Sequence, residues 1–190
     1  MMTFADTDEF DRWLGENAGR QKEVWVVVAR KGTPGLTAAE AGDVAICHGW
    51  IDSHRRRLDG KRFLQRYSPR RPRSPWSQVN VERVGMLEAA GRMRPGGHAE
   101  VAAAKADGRW AAAYAPQRSA PVPDDLLAEL ERDRRARAVF DGLGRSERYA
   151  VFLPLLKART PAARAVARRR AVEQLASGGR ASERRASGRT

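Results

Sequence analysis

The sequence predicts an α+β fold: a small antiparallel or mixed sheet with a hairpin in the N-terminal half, and a helical C-terminal half. Three observations lead there. Glu23–Lys31 is a run rich in β-branched residues, closed by Gly32. Trp50–Ser53 and Arg62–Tyr67 flank Leu58-Asp59-Gly60, an Asp-Gly hairpin signal. From Asp124 onward the apolar residues recur only at helical spacing, as in Leu126, Leu127 and Leu130 or Tyr149, Phe152, Leu153 and Leu156. Strands gathered in one half and helices in the other define the class.

The elements follow in order. Asp6-x-x-Glu9 starts a helix whose Phe10, Trp13 and Leu14 share a face. The strand after Glu23 is apolar nearly throughout, which predicts a central place in the sheet. Thr37-x-x-Glu40 opens a second helix with Ala41, Val44, Ala45 and His48 on one side. After the hairpin, the prolines of Ser68–Trp76 favour an extended path. Ser74-Pro75 then reads as N-cap and first residue of a helix that carries Trp76, Asn80, Arg83 and Leu87 on one face and ends near Gly91. A short helix is predicted from about Gly97 to Ala106, then a loop over Asp107–Pro123. Thr160-Pro161 caps a final helix reaching about Ala176. Residues 177–190 hold Gly, Ser and Arg without an apolar anchor, the pattern of a disordered basic tail. The predicted organisation is one domain over 1–176, with its sheet-containing part over about 4–91 and its helical part over about 95–176.

Composition narrows the class further. A chain of 190 residues with 42% hydrophobic residues and five tryptophans can build a core. One cysteine, Cys47, excludes an internal disulfide framework. The acidic start lacks the basic flank and apolar run of a signal peptide. No apolar stretch approaches the ~20 residues that span a bilayer, so the expectation is a cytoplasmic protein without membrane insertion. The net charge of +13 is concentrated in two places. His54–Arg73 holds nine Lys or Arg against Asp59 alone, and Arg159–Thr190 holds nine Arg against Glu173 and Glu183.

The first cluster carries the candidate site. A helix N-terminus at Ser74 would present unpaired N–H groups to an anion, with Arg70, Arg71 and Arg73 just upstream to fork onto a carboxylate or phosphate. Arg66 adds a fourth guanidinium; Trp50 and Trp76 would line the pocket; Ser74, Ser77 and Asn80 would supply neutral hydrogen bonds. Asp52, on the same strand face as Trp50, is the candidate catalytic base or else the ion-pair partner of the arginines. Cys47, His48, Asp52 and His54 lack zinc-ligand spacing, so no metal and no cofactor are expected, and Cys47 reads as a buried small hydrophobe. No complete catalytic constellation is readable.

Cys47-His-Gly-Trp-Ile-Asp52, Gln65-Arg-Tyr-Ser-Pro-Arg-Arg-Pro-Arg-Ser74, Trp76-Ser77, Asn80, Gly91-Arg-Met93 and Ala104–Trp110 together resemble the YdeI/OmpD-associated family, the bacteriocin-protection proteins. The resemblance runs from about Phe4 to Ser177, departing at His48, Tyr67 and Pro75. It implies a link to antimicrobial-peptide tolerance and envelope stress, with no settled reaction. The leading expectation is thus a protein of stress or antimicrobial tolerance that binds an anionic small molecule or acidic peptide through the Arg/Trp pocket. The alternative is sequence-nonspecific nucleic-acid binding through Arg55, Arg56 and Arg57 and the Arg-rich C-terminus. An enzyme using Asp52 as base is the third reading.

Overall fold

The computed structural model describes the backbone of residues 1–187 and the side chains through residue 178. The chain divides into two compact units, Met1–Ala113 and Tyr114–Thr190.

The first unit runs α1 (Thr7–Asn17), β1 (Val24–Ala29), α2 (Ala38–Cys47), β2 (Trp50–Arg57), β3 (Arg62–Pro69), α3 (Gln78–Ala89) and α4 (Pro95–Ala106). Local chemistry starts the helices. The Asp6 carboxylate accepts the Glu9 N–H at 2.9 Å to cap α1, and Thr37 and Glu40 form a complete capping box on α2. The antiparallel sheet has the order β1-β3-β2, so the second hairpin strand is central and β1 is not. An apolar run predicts centrality because both faces of a central strand are usually covered. Here Met2 covers the free side of β1 instead, donating to the Trp25 carbonyl at 2.8 Å and accepting from Val27 N–H at 2.9 Å.

Alternation sorts the sheet residues. Val24, Val26, Val28, Trp50 and Tyr67 turn inward onto Phe10, Leu14, Ala41, Val44 and Ala45. A second cluster joins Ile46, Cys47, Trp76, Val84, Leu87, Met93, Val101 and Ala104. It is why α4 belongs to the first unit, although the sequence placed the start of the helical half near residue 95.

Its tightest point lies where α4 begins against the end of α2. A Cβ on Gly97 would sit 2.2 Å from the Cys47 carbonyl oxygen and 2.8 Å from Met93 Cε. Gly97→Ala must therefore push backbone apart, and it is expected to cost about 2–3 kcal/mol in urea unfolding followed by circular dichroism. A loss below about 0.5 kcal/mol would mean that this contact relaxes freely.

The second unit is helical: α5 (Asp124–Arg132), α6 (Arg134–Gly142), α7 (Arg145–Lys157) and α8 (Pro161–Ser187). Leu126, Leu130, Phe140, Phe152, Leu155 and Leu175 form its core. Asp125 on α5 receives both Nε and Nη2 of Arg164 on α8 at 2.8 Å each. The last helix continues past the predicted end near Ala176 through Ser187, across Gly178 and Gly179, which intrinsic propensity disfavours. The expectation for 177–190 otherwise lies outside the described residues. Among those residues, no helix is long and apolar enough to cross a membrane.

Candidate functional site

The turn after β3 departs from its prediction. Arg71 N–H donates to Ser74 Oγ at 3.0 Å and Ser74 N–H to the Arg71 carbonyl at 2.9 Å, with Arg73 at φ 73°, a region non-glycine residues seldom adopt. Ser74 is therefore engaged in a turn and caps nothing. The N-cap of α3 is Ser77, whose Oγ accepts the Asn80 N–H at 3.2 Å. A Ser-Pro pair and a Ser three residues before Asn compete for the same helix start, and the turn at Arg71–Ser74 decides for the second.

Two arginines of this stretch have structural partners. Arg70 is 7% exposed and lies with its guanidinium 3.7 Å from the centroid of Trp76, itself 2% exposed; Nη1 donates to the Pro75 carbonyl at 3.4 Å. Arg66 donates to Glu23 from Nε at 2.8 Å and Nη2 at 2.5 Å. Arg71 and Arg73 are exposed. The structure thus brings Arg70 and Trp76 together, with the turn of Ser74 beside them, and disperses the rest. Trp50 is buried in the sheet core, and Asn80 is half-buried in the first turn of α3. Asp52 is exposed opposite Tyr67, and no ion pair joins it to an arginine among the described residues. The Tyr67 hydroxyl and Trp76 Nε1 are buried with no hydrogen-bond partner among those residues. Burial, helped by the Asp52 charge, pushes the Tyr67 phenol well above its ordinary pKa.

Sequence reasoning missed Arg109, Asp11 and Arg94. Arg109, 3% exposed, donates to Glu100 and Asp107 at 2.6 Å each and to the Ser74 carbonyl at 3.3 Å, pinning the turn from below. Asp11 accepts from Arg94 Nη2 at 2.6 Å and lies 2.8 Å from His48 Nε2, at the rim of a cavity of about 550 Å³. Partial burial would raise the Asp11 pKa, but hydrogen bonds and charge from Arg94 and His48 outweigh it and hold the carboxyl below its usual range.

The densest uncompensated charge is on the β2–β3 hairpin. Residues 52–57 of β2, 58–61 of the turn and Arg62 at the start of β3 are all exposed. Asp59 closes that turn, accepting N–H groups of Lys61 and Arg62 at 2.7 Å each. A bulge between Asp52 and Arg55 resets the alternation, so Arg55 and Arg57 pair with Gln65 and Phe63 while Arg56 pairs with Leu64. Guanidinium groups therefore stand on both faces of the ribbon. Arg55 donates to the buried Gln65 at 2.6 Å, and Arg56 lies 4.4 Å from the centre of the Trp25 ring. Among the described residues, Arg56, Arg57, Lys61 and Arg62 form no ion pair. On α8 three arginines are paired: Arg164 with Asp125, Arg168 with Asp125 and Glu129, and Arg169 with Glu173.

No curated protein and no solved structure matches the chain. Residues 2–100 match the family described as a domain of unknown function, DUF8412, and residues 119–178 match the family described as bacteriocin-protection, YdeI or OmpD-associated. The motifs that carry the resemblance, from Cys47 to Trp110, thus lie outside the segment that matches the YdeI/OmpD-associated family. Through its first hundred residues the chain belongs to the DUF8412 family, and its helical C-terminal unit carries the bacteriocin-protection, YdeI or OmpD-associated signature.

Proposed function

We propose that this is a cytoplasmic protein of antimicrobial or stress tolerance that binds duplex nucleic acid without sequence preference through its β2–β3 ribbon. The observation that carries the reading is the ribbon itself, with guanidinium groups on both faces and four cations that meet no carboxylate among the described residues. A two-stranded ribbon is one of the two elements a major groove admits, and arginine clusters supply affinity by releasing counterions from phosphates. Duplex is favoured over single strand because the Trp25 face, where a base would stack, is covered by Arg56. The tolerance role rests on the description of the family matched by the C-terminal unit. An anionic small molecule or acidic peptide at the Arg70 turn has less support, since Arg70 and Arg66 already have structural partners.

Fluorescence anisotropy with labelled duplexes of unrelated sequence tests the reading. With Arg55, Arg56, Arg57, Lys61 and Arg62 at the phosphates, log affinity should fall against log salt with a slope of about −4 to −5, alike for every duplex. A salt-insensitive complex, or one strongly selective for sequence, refutes it.

A further inference from the structure

The second unit holds a cavity of about 430 Å³ between the loop before α5 and the start of α7, within the usual size range for small-molecule sites. Its floor is apolar: Val122 from the loop, Leu143 from the end of α6, and Phe152 with Tyr149 stacked edge-on at 5.4 Å. Its rim is cationic. Arg145 and Arg148 both line it, and each donates only to a main-chain carbonyl, Arg145 to that of Arg118 and Arg148 to that of Asp141 at 2.6 Å. Neither meets a carboxylate among the described residues. Arg148 Nε is buried and has no hydrogen-bond partner there, a donor left open beside the cavity.

The N-cap of α7, Gly144, donates its N–H to the Glu147 carboxylate at 2.8 Å, so the helix start already holds an acid and the arginines alone would bind an anion. Gln117 donates to Ser146 at 2.7 Å and Tyr149 to the Ala115 carbonyl at 2.9 Å, so the loop that forms one wall is fastened to α7. The cavity is thereby held open rather than free to collapse. Burial also raises the Tyr149 pKa, with Tyr114 adding to it, so the phenol stays neutral and does not oppose an anion.

We propose that this cavity binds an amphipathic anion: a carboxylate or phosphate monoester held by Arg145 and Arg148, with an acyl or aromatic body packed on Val122, Leu143 and Phe152. The site is independent of the hairpin and of the nucleic-acid reading. A chain-terminal carboxylate and a phosphate monoester share the chemistry required, two in-plane oxygen acceptors on an apolar stem.

Calorimetric titration of the full chain with sodium octanoate, octyl phosphate and octan-1-ol tests the proposal. The anions should bind at least about tenfold more tightly than the alcohol, the worth of one charge-assisted hydrogen bond. Whichever anion is tighter identifies the head group. Arg145→Ala should remove most of that preference while leaving the helical content unchanged. Val122→Trp, which fills the floor from a loop residue and keeps both arginines, should abolish binding of all three probes. Equal binding of octanoate and octanol, retained preference in Arg145→Ala, or undiminished binding in folded Val122→Trp overturns the proposal. So does the absence of binding by both anions.

Discussion

Arg56, Arg57, Lys61 and Arg62 replaced together by alanine lower the affinity for duplex DNA about a hundredfold at low salt and flatten the log–log salt slope by about 3 to 4 units. The magnitude follows from four lost phosphate contacts, each worth nearly one released counterion. The variant should fold, because these side chains are exposed and form no ion pairs among the described residues. Stability should stay within about 1 kcal/mol, most of it the Arg56 contact with Trp25. Arg55 is left in place deliberately: it supplies the 2.6 Å hydrogen bond to Gln65, a fully buried amide whose oxygen would otherwise lose its donor at a cost of about 1–3 kcal/mol. The companion variant, Arg71→Ala with Arg73→Ala, removes two exposed charges from the turn after β3 and should retain wild-type affinity. If the turn variant loses binding and the hairpin variant does not, the anion site is the turn.

That contrast marks where the sequence was legible. The hairpin was readable because Asp59-Gly60 encodes its turn locally, and the caps at Asp6 and Thr37 were readable for the same reason. The placement of β1 was not. Its apolar run is compatible with a central strand, but β1 pairs only with β3, and Met2, distant in sequence, covers its free side. The same holds for the side-chain sites. His48 and Asp11 are separated by 37 residues and Arg94 and Asp11 by 83, so no spacing rule relates them. A dense run such as Arg66–Arg73 announces charge but not direction. Packing decides that Arg70 turns inward to Trp76 while Arg71, its neighbour, faces water. The two family matches divide the chain in a similar way, one over the sheet-bearing part and one over the helical unit.

Trp76→Ala should be among the most damaging single substitutions in the N-terminal unit, costing about 3–5 kcal/mol of stability. The indole is 2% exposed and packs with Val84, Leu87, Met93 and Val101. Trp110 lies against it with ring centroids 5.0 Å apart at 58°, and the Arg70 guanidinium lies 3.7 Å from its centroid. Truncation therefore opens a cavity and also strips a desolvated guanidinium of the ring that faces it. Trp76→Phe keeps part of the volume and a weaker ring face, so about half the loss should return. Arg70→Ala should cost about 2–3 kcal/mol through lost packing and the lost bond to Pro75, whereas Arg71→Ala should change stability by less than about 0.5 kcal/mol. Hydrogen exchange of amides in α2 and α3 reads these effects within the N-terminal unit and separates them from unfolding of the helical unit. Should Trp76→Ala cost less than about 1 kcal/mol, the ring is not a packing element, and a ligand-facing role for it regains its ground. A large loss for Arg70→Ala with none for Arg71→Ala instead assigns the first arginine to the core and leaves only the second to meet an anion.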